Sequence, residues 1–255
     1  MFAFPGPTAK SAVRAIPRAK LKTIRIAPKG VRSDRWIGIQ HEALASCINR
    51  EAKEAGMKII SESWAVSEDQ HDLFGDLTVQ PSSRIKDWPS GLLPSMGVLH
   101  SNMGRTALRL YAGATVTVCS NGLVAVAGSD IVLARKHTSG INLNLAVAHG
   151  LEKFEKRLNE IPKFVRILKE SNLAESEAAL TVNEIGALRW MPWSDIGKVW
   201  SEWRTPRHKD FQPRTRWSLY NAFTEVMKRR PVQSQVQLFR NLAPKLLPQG
   251  TFVRG

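Results

Sequence analysis

Cysteine is nearly absent: Cys47 and Cys119 are the two in 255 residues. Neither sits in a Cys-x-x-Cys pair, which excludes a disulfide framework and points to a reducing compartment. The six histidines, at 41, 71, 100, 137, 149 and 208, show no His-Glu-x-x-His or other ligand spacing. No Gly-x-x-x-x-Gly-Lys-Ser/Thr loop is present to cradle a nucleotide phosphate, and residues 38–41 do not make a Gly-x-Gly-x-x-Gly. No apolar run approaches the roughly 20 residues that span a bilayer, and the start lacks the continuous apolar core of a secretory signal. No metal, cofactor or catalytic residue is therefore assigned, and no membrane is expected as a partner. Acidic residues are scarce as well.

Asp and Glu number 22 against 37 Lys and Arg, a net charge of +15. An excess of this size makes nucleic acid or an anionic surface the leading partner class. The hydrophobic share, 43%, is ample for a core. The imbalance is sharpest in residues 1–32, which hold eight basic residues and no acid. Pro5, Pro7, Pro17 and Pro28 break any long helix there. The segment reads as a basic arm that lies along phosphates, with Lys20, Lys22, Arg25 and Arg32 as contacts. A solvated tail and an acid-free transit peptide are its other readings.

Ordered structure is expected from about Arg35, in a core domain over residues 33–175. Ile39, Leu44, Ile48 and Ala52 fit one helical face, and Gly56 stands where a C-terminal cap belongs. Residues 59–66 and 73–79 read as strands with a polar turn at 67–70. Residues 84–97, rich in Pro and Gly, read as a loop, and 106–111 as a short helix or extended piece. The centre of the chain is residues 114–138. There 115–118 alternate as a half-buried strand, Asn121-Gly122 suits a hairpin turn, 123–127 form an apolar strand, Gly128-Ser129-Asp130 turns the chain and 131–134 return it. Beyond this β-meander, Val147, Leu151, Phe154, Leu158, Ile161, Val165 and Leu168 recur at spacings of four and three. They predict a long helix kinked at Pro162, or two helices meeting there, that covers the sheet or serves as the seam of a homo-oligomer. The fold class is α+β, a mainly antiparallel sheet covered by helices.

Residues 176–230 form a helical, basic, Trp-rich part, followed by a tail over 231–255. Trp190, Trp193, Trp200, Trp203 and Trp217 alternate with cations, of which Arg204, Arg207, Lys209, Arg214 and Arg216 are candidate nucleic-acid contacts. Trp193, Ile196, Trp200 and Trp203 share a helical face, so most of the rings read as core; one or two could stack on unpaired bases. Residues 204–216 read as a basic loop and 218–229 as a helix.

Ser101-Asn102, Gly113, the run Val116-x-Val118-Cys119-x-Asn121-Gly122, residues 135–138 (Arg-Lys-His-Thr) and residues 217–224 together resemble a phage- and plasmid-related family catalogued as domain of unknown function 932. The resemblance runs over roughly residues 36–230. It implies a unified fold and a bacterial cytoplasm as the setting, and supplies no mechanism. Arg105, Arg135, Lys136 and His137 join the candidate phosphate contacts. Asp69, Asp72 and Asp76, with Glu62 and Glu68 nearby, could be read as nuclease carboxylates, but acids at strand ends and turns are usually solvated. Cys119, inside an apolar strand, reads as a small buried hydrophobe. The preferred function is sequence-nonspecific binding or annealing of single-stranded DNA in phage or plasmid recombination or replication. The alternatives are an interaction protein directed at a host factor and a metal-dependent DNA-processing enzyme.

Overall fold

Six strands, each antiparallel to the one before it, form a single sheet in chain order: β1 (Val13–Ile16), β2 (Ile59–Ser67), β3 (Asp72–Val79), β4 (Leu92–Ser101), β5 (Leu108–Val116) and β6 (Ile131–Arg135). The computed structural model describes residues 13–26, 35–80, 87–116, 131–138, 140–228, 230 and 232–248. Alternation along the strands splits the apolar residues between two faces. Trp64, Val66, Leu73, Leu77, Met96, Val98, Leu108, Leu110 and Leu133 join the main core, whereas Ala65, Phe74, Leu99 and Tyr111 form a small separate cluster.

Helices α1 (His41–Glu54) and α2 (Leu143–Leu158) pack against each other, and α2 lies on β5 and β6. Leu44, Ala45, Ile48 and Ala52 are the buried stripe of α1, and Gly56, at φ +74°, takes the left-handed turn beyond its end. Asn142 caps α2 by accepting from the Leu145 amide. Gly150 brings α2 close to the sheet, because a Cβ there would lie 3.0 Å from Leu110 and 3.1 Å from Leu133. Helix α3 (Ile161–Glu170) follows, with Pro162 in its first turn, where the lost amide costs nothing. All seven residues of the 147–168 seam are buried inside the chain. That burial removes the seam as a surface for assembly.

The C-terminal part is α4 (Glu175–Ala187), α5 (Trp193–Arg204), α6 (Arg216–Met227) and α7 (Val232–Leu246). Helix α6 is buried on nearly every side, and α3, α5 and α7 pack around it. One hydrophobic cluster runs without a break from Ile16 in β1 to Leu246 in α7.

Several expectations need correction. Order begins before Arg35: β1 pairs with residues 64–67 of β2, and a 3-10 helix over Arg18–Thr23 buries Leu21 completely. Residues 92–97, read as loop, are the first half of β4. Pro94 is accommodated because the ladder to β3 begins only at Ser95, and Gly97 because the Tyr111 side chain lies directly over it. Residues 108–116 are one long strand, and its partner β6 pairs with residues 108–111. The expected hairpin at Asn121-Gly122, the strand at 123–127, the following turn and Cys119 lie outside the described residues. The tail is also partly structural, since Leu238, Phe239, Leu242, Ala243 and Leu246 of α7 are buried.

Truncating one of these side chains tests that last correction. Leu242→Ala deletes a fully buried side chain and should cost about 2–5 kcal/mol of stability by denaturant unfolding. A change below about 0.5 kcal/mol would return α7 to the status of a tail.

Candidate nucleic-acid interface

Helix α5 has two distinct faces. Ile196, Val199 and Trp203 point into the core; Trp193, Gly197, Ser201 and Arg204 face solvent, and Trp200 is half buried beside them. The Trp203 indole donates to the Ser218 hydroxyl at 3.0 Å, fastening α5 to the start of α6. Thr215 and Ser218 close that start with a capping box: the Thr215 hydroxyl accepts from the Ser218 amide, and the Ser218 hydroxyl accepts from the Thr215 amide at 3.1 Å. These bonds fix both ends of the loop over residues 205–214.

The loop and the outer face of α5 enclose an open groove of about 650 Å³, lined by Lys198, Trp200, Glu202, Arg204, Arg207 and Arg214 among others. Four of these side chains are cations, and Lys198 is already bound to the nearly buried Asp195 at 2.8 Å. The Arg204 guanidinium lies 6.0 Å from the centre of the Trp200 ring and that of Arg214 lies 5.0 Å from Trp203. Arg204 and Arg214 both reach Glu175 of α4, at 3.4 and 3.5 Å, with all three side chains about half exposed. Solvent-exposed pairs of this kind contribute little and yield readily to another anion. Arg207 differs. It binds Glu202 and Glu225, whose side chains are 10% and 5% exposed, so it neutralises buried acid and belongs to the fold.

The other candidate residues do not converge on this groove. Lys20, Lys22 and Arg25 are exposed on and just after the 3-10 helix, and Arg32 lies outside the described residues. Arg18, beside them, is spent on Glu42 at 2.8 Å and Glu62 at 2.9 Å. Lys209 is exposed on a second 3-10 turn, Lys209–Phe211. Arg216 is half buried and paired with Glu177. Arg105 binds Asp69 and, at 2.9 Å, the completely buried Asp72. The pair holds the Asp69 carboxyl well below the usual carboxylate range. Asp76 instead accepts from the Ser95 hydroxyl, 3.3 Å away. The three acids therefore do not gather, and among the described residues no three ligating side chains are placed to hold a metal.

Arg135 and Lys136 are exposed at the end of β6, but His137 is completely buried and cannot reach a phosphate. Its ring is stacked between Trp36 and His100, with centroids 4.7 and 4.5 Å away. The Ile39 carbonyl accepts from His100 Nε2 at 3.2 Å, which leaves His100 Nδ1 to accept from His137 Nε2 at 2.9 Å. His41, edge-on to His100, donates to the Gln70 carbonyl at 2.9 Å. Asn102 completes the cluster: its side chain accepts from the Ile39 amide at 2.8 Å and donates to the Ile39 carbonyl at 3.1 Å, while its own carbonyl accepts from the Trp36 indole. The cluster thus pins residues 36–39 across the ends of β4 and β6. Its rings are neutral, because stacked imidazolium ions without solvent would repel one another. Burial lowers all three histidines, His137 to about 4.

Comparison with known proteins bears on these residues. A family model described as "Domain of unknown function (DUF932)" matches residues 28–243. The chain belongs to the DUF932 family. No curated protein and no solved structure matches it. The DUF932 span takes in the histidine cluster and the whole groove, and leaves out β1 and the first 3-10 helix. Among the described residues, no helix is long and apolar enough to cross a membrane. Lys198, which lines the groove, is not among the contacts expected from the sequence, and Trp200 is expected only as one of five rings of which one or two could stack. The readable signal was the four-three-four spacing of residues 193, 197, 200 and 204 along one helix.

Two measurements separate structural cations and histidines from binding ones. Arg105→Ala leaves Asp72 buried without its partner and should cost about 3–5 kcal/mol; near-neutral stability would free Arg105 for a ligand role. The histidines set a pH dependence. Their folded pKa values lie below the ordinary 6.5, so the unfolded chain takes up protons that the fold refuses as pH falls. Their contribution to stability should be full above about pH 6.5 and be lost as the pH falls toward 4. Asp76 works in the opposite sense, since burial lifts its carboxyl to about 6 and the fold favours the protonated acid. Asp76→Asn should therefore melt higher than the parent at pH 8, with the gain shrinking at pH 5. An equal gain at both pH values would show that Asp76 is not held protonated.

Proposed function

We propose that this DUF932 protein binds single-stranded nucleic acid, DNA foremost, without sequence specificity, and does so through the groove on α5. The observation that carries the reading is the pair Arg204 and Arg214, whose shared acid Glu175 is exposed, set in the groove beside the half-buried Trp200. Cations supply a track for phosphates, and an accessible indole offers a stacking surface that any unpaired base satisfies. A duplex keeps its bases stacked internally and would use the cations alone, so single strands gain the additional contact. Other exposed cations, among them Lys20, Lys22, Arg25, Arg135, Lys136 and Lys209, strengthen the long-range attraction without belonging to the groove. The setting that fits this role is the cytoplasm of a bacterial host. There a phage- or plasmid-encoded protein would protect or anneal strands during recombination or replication.

The test is a titration of labelled single-stranded DNA, duplex DNA and single-stranded RNA at two salt concentrations. Arg204→Ala combined with Arg214→Ala should lower thermal stability only modestly, because both side chains are about half exposed and their contacts, with exposed Glu175 and with the Trp200 and Trp203 rings, are each worth about 1 kcal/mol or less at such sites. The same pair should lower affinity and reduce the slope of log affinity against log salt by about 1.4, at roughly 0.7 per single-strand phosphate. Parent protein that shows no salt-dependent binding to any of the three would refute the proposal.

A further inference from the structure

Among the described residues, three glycines lie inside helices, and two have an internal reason. At Gly150 a Cβ would press on Leu110 and Leu133, and at Gly186 it would lie 2.9 Å from the ring of Trp193. Gly197, in the middle of α5, has none: a Cβ there would meet nothing within 4 Å. Glycine is the poorest helix former after proline, and at an exposed position no packing offsets the loss. The position is nonetheless far from featureless. Gly197 lines the basic groove, one helical turn after Trp193 and one before Trp200. Both rings are held in place. Trp193, 59% exposed, rests on Gly186 of α4, and Trp200 lies 5.5 Å from Trp203 with Arg204 alongside.

We infer that Gly197 is a notch for an unpaired nucleobase, kept free of a side chain so that the base lies flat on the helix backbone between the two indoles. Seven residues separate Trp193 from Trp200, about 10 Å along the helix axis, and Gly197 stands between them on the same side of the helix. The sugar-phosphate strand then passes Arg204 and Arg214, whose shared partner Glu175 is exposed and easily displaced. This inference rests on the nucleic-acid reading of the groove and adds to it the place where a base is held.

The experiment measures melting temperature and affinity for a labelled oligothymidylate in the parent, Gly197→Ala, Gly197→Leu and the control Asn183→Ala, on the exposed face of α4. Both Gly197 variants should melt higher, by about 1–4 °C, because the helix gains a better former. Affinity should nevertheless fall, by roughly tenfold in Gly197→Leu, the loss of about one stacked base, and duplex binding should change little. The control should keep the parent's affinity. A more stable protein that binds single strands less tightly is the expected result. Unchanged single-strand affinity in both Gly197 variants would overturn the notch while leaving the groove reading in place. A lower melting temperature in Gly197→Ala would overturn it as well, by showing that the fold itself needs the glycine. Failure of the parent to bind any single strand would remove the groove reading, and the notch with it.

Discussion

The contact on which both halves of the structure depend is the apolar seam of α2 and α3. Val147, Leu151, Phe154 and Leu158 of α2 are buried where that helix lies on β5, β6 and α1. Ile161, Phe164, Val165 and Leu168 continue the buried stripe along α3, which packs on α6. Phe164 meets Tyr220 of α6 edge-on, with centroids 6.0 Å apart. The sheet and the C-terminal helices thus share one core through a single helical run. Burying a large apolar side chain contributes about 1.5–3 kcal/mol, so the seam outweighs any ion pair in the molecule. Position of the α5 groove relative to the sheet follows from it.

Charge is the second constraint. A chain with an excess of 15 positive charges repels itself, and its few acids are placed where they do most to offset that. Glu42 and Glu62 hold Arg18, Asp69 and Asp72 hold Arg105, and Glu202 and Glu225 hold Arg207. Asp195, nearly buried, serves Lys198 and Arg230 together. These pairs tie loops and helix ends to the core. They also explain why a list of basic residues drawn from the sequence mixes two populations. Cations that meet buried acid are structural. Those that meet exposed acid, or none among the described residues, remain open to an outside anion.

Periodicity made the sheet-covering helices legible, and so were α1, the two strands at 59–79 and the break near Pro162. Residues 92–97 were not, because Pro94 and Gly97 carry the composition of a loop. Only the Tyr111 ring over Gly97 and the late start of the β3 ladder make a strand possible there. Helix α7 was missed although Leu238, Leu242 and Leu246 recur every four residues; Pro231, Pro244 and Pro248 obscured the pattern. His137 was misplaced for a different reason. Its neighbours Arg135 and Lys136 are exposed, and nothing local shows that the chain turns inward by one residue to meet Trp36 and His100 from distant segments. The tryptophans of α5 were half legible. Residues three apart on a helix differ by about 60° around the axis and residues seven apart by about 20°. Ile196 and Trp203 therefore form one stripe and Trp193 and Trp200 a neighbouring one, so a face that looks single in sequence is split between core and solvent.

That split links the fold to the proposed chemistry. A groove floor must be rigid to present rings at fixed positions, and it must be open to admit a ligand. Helix α5 meets both requirements by burying one stripe against α6 and exposing the next. The Trp203–Ser218 bond and the acids behind Arg207 supply the rigidity. Because those acids also reduce the net charge of the groove, it cannot rely on electrostatics alone for holding power. The scattered cations of the rest of the surface attract a polyanion from a distance, an effect that salt screens within about 10 Å. On the proposed reading, short-range contacts with flat rings inside the groove are what added salt would leave intact. A division of this kind favours a ligand that brings both phosphates and exposed bases, which is the chemistry of an unpaired strand.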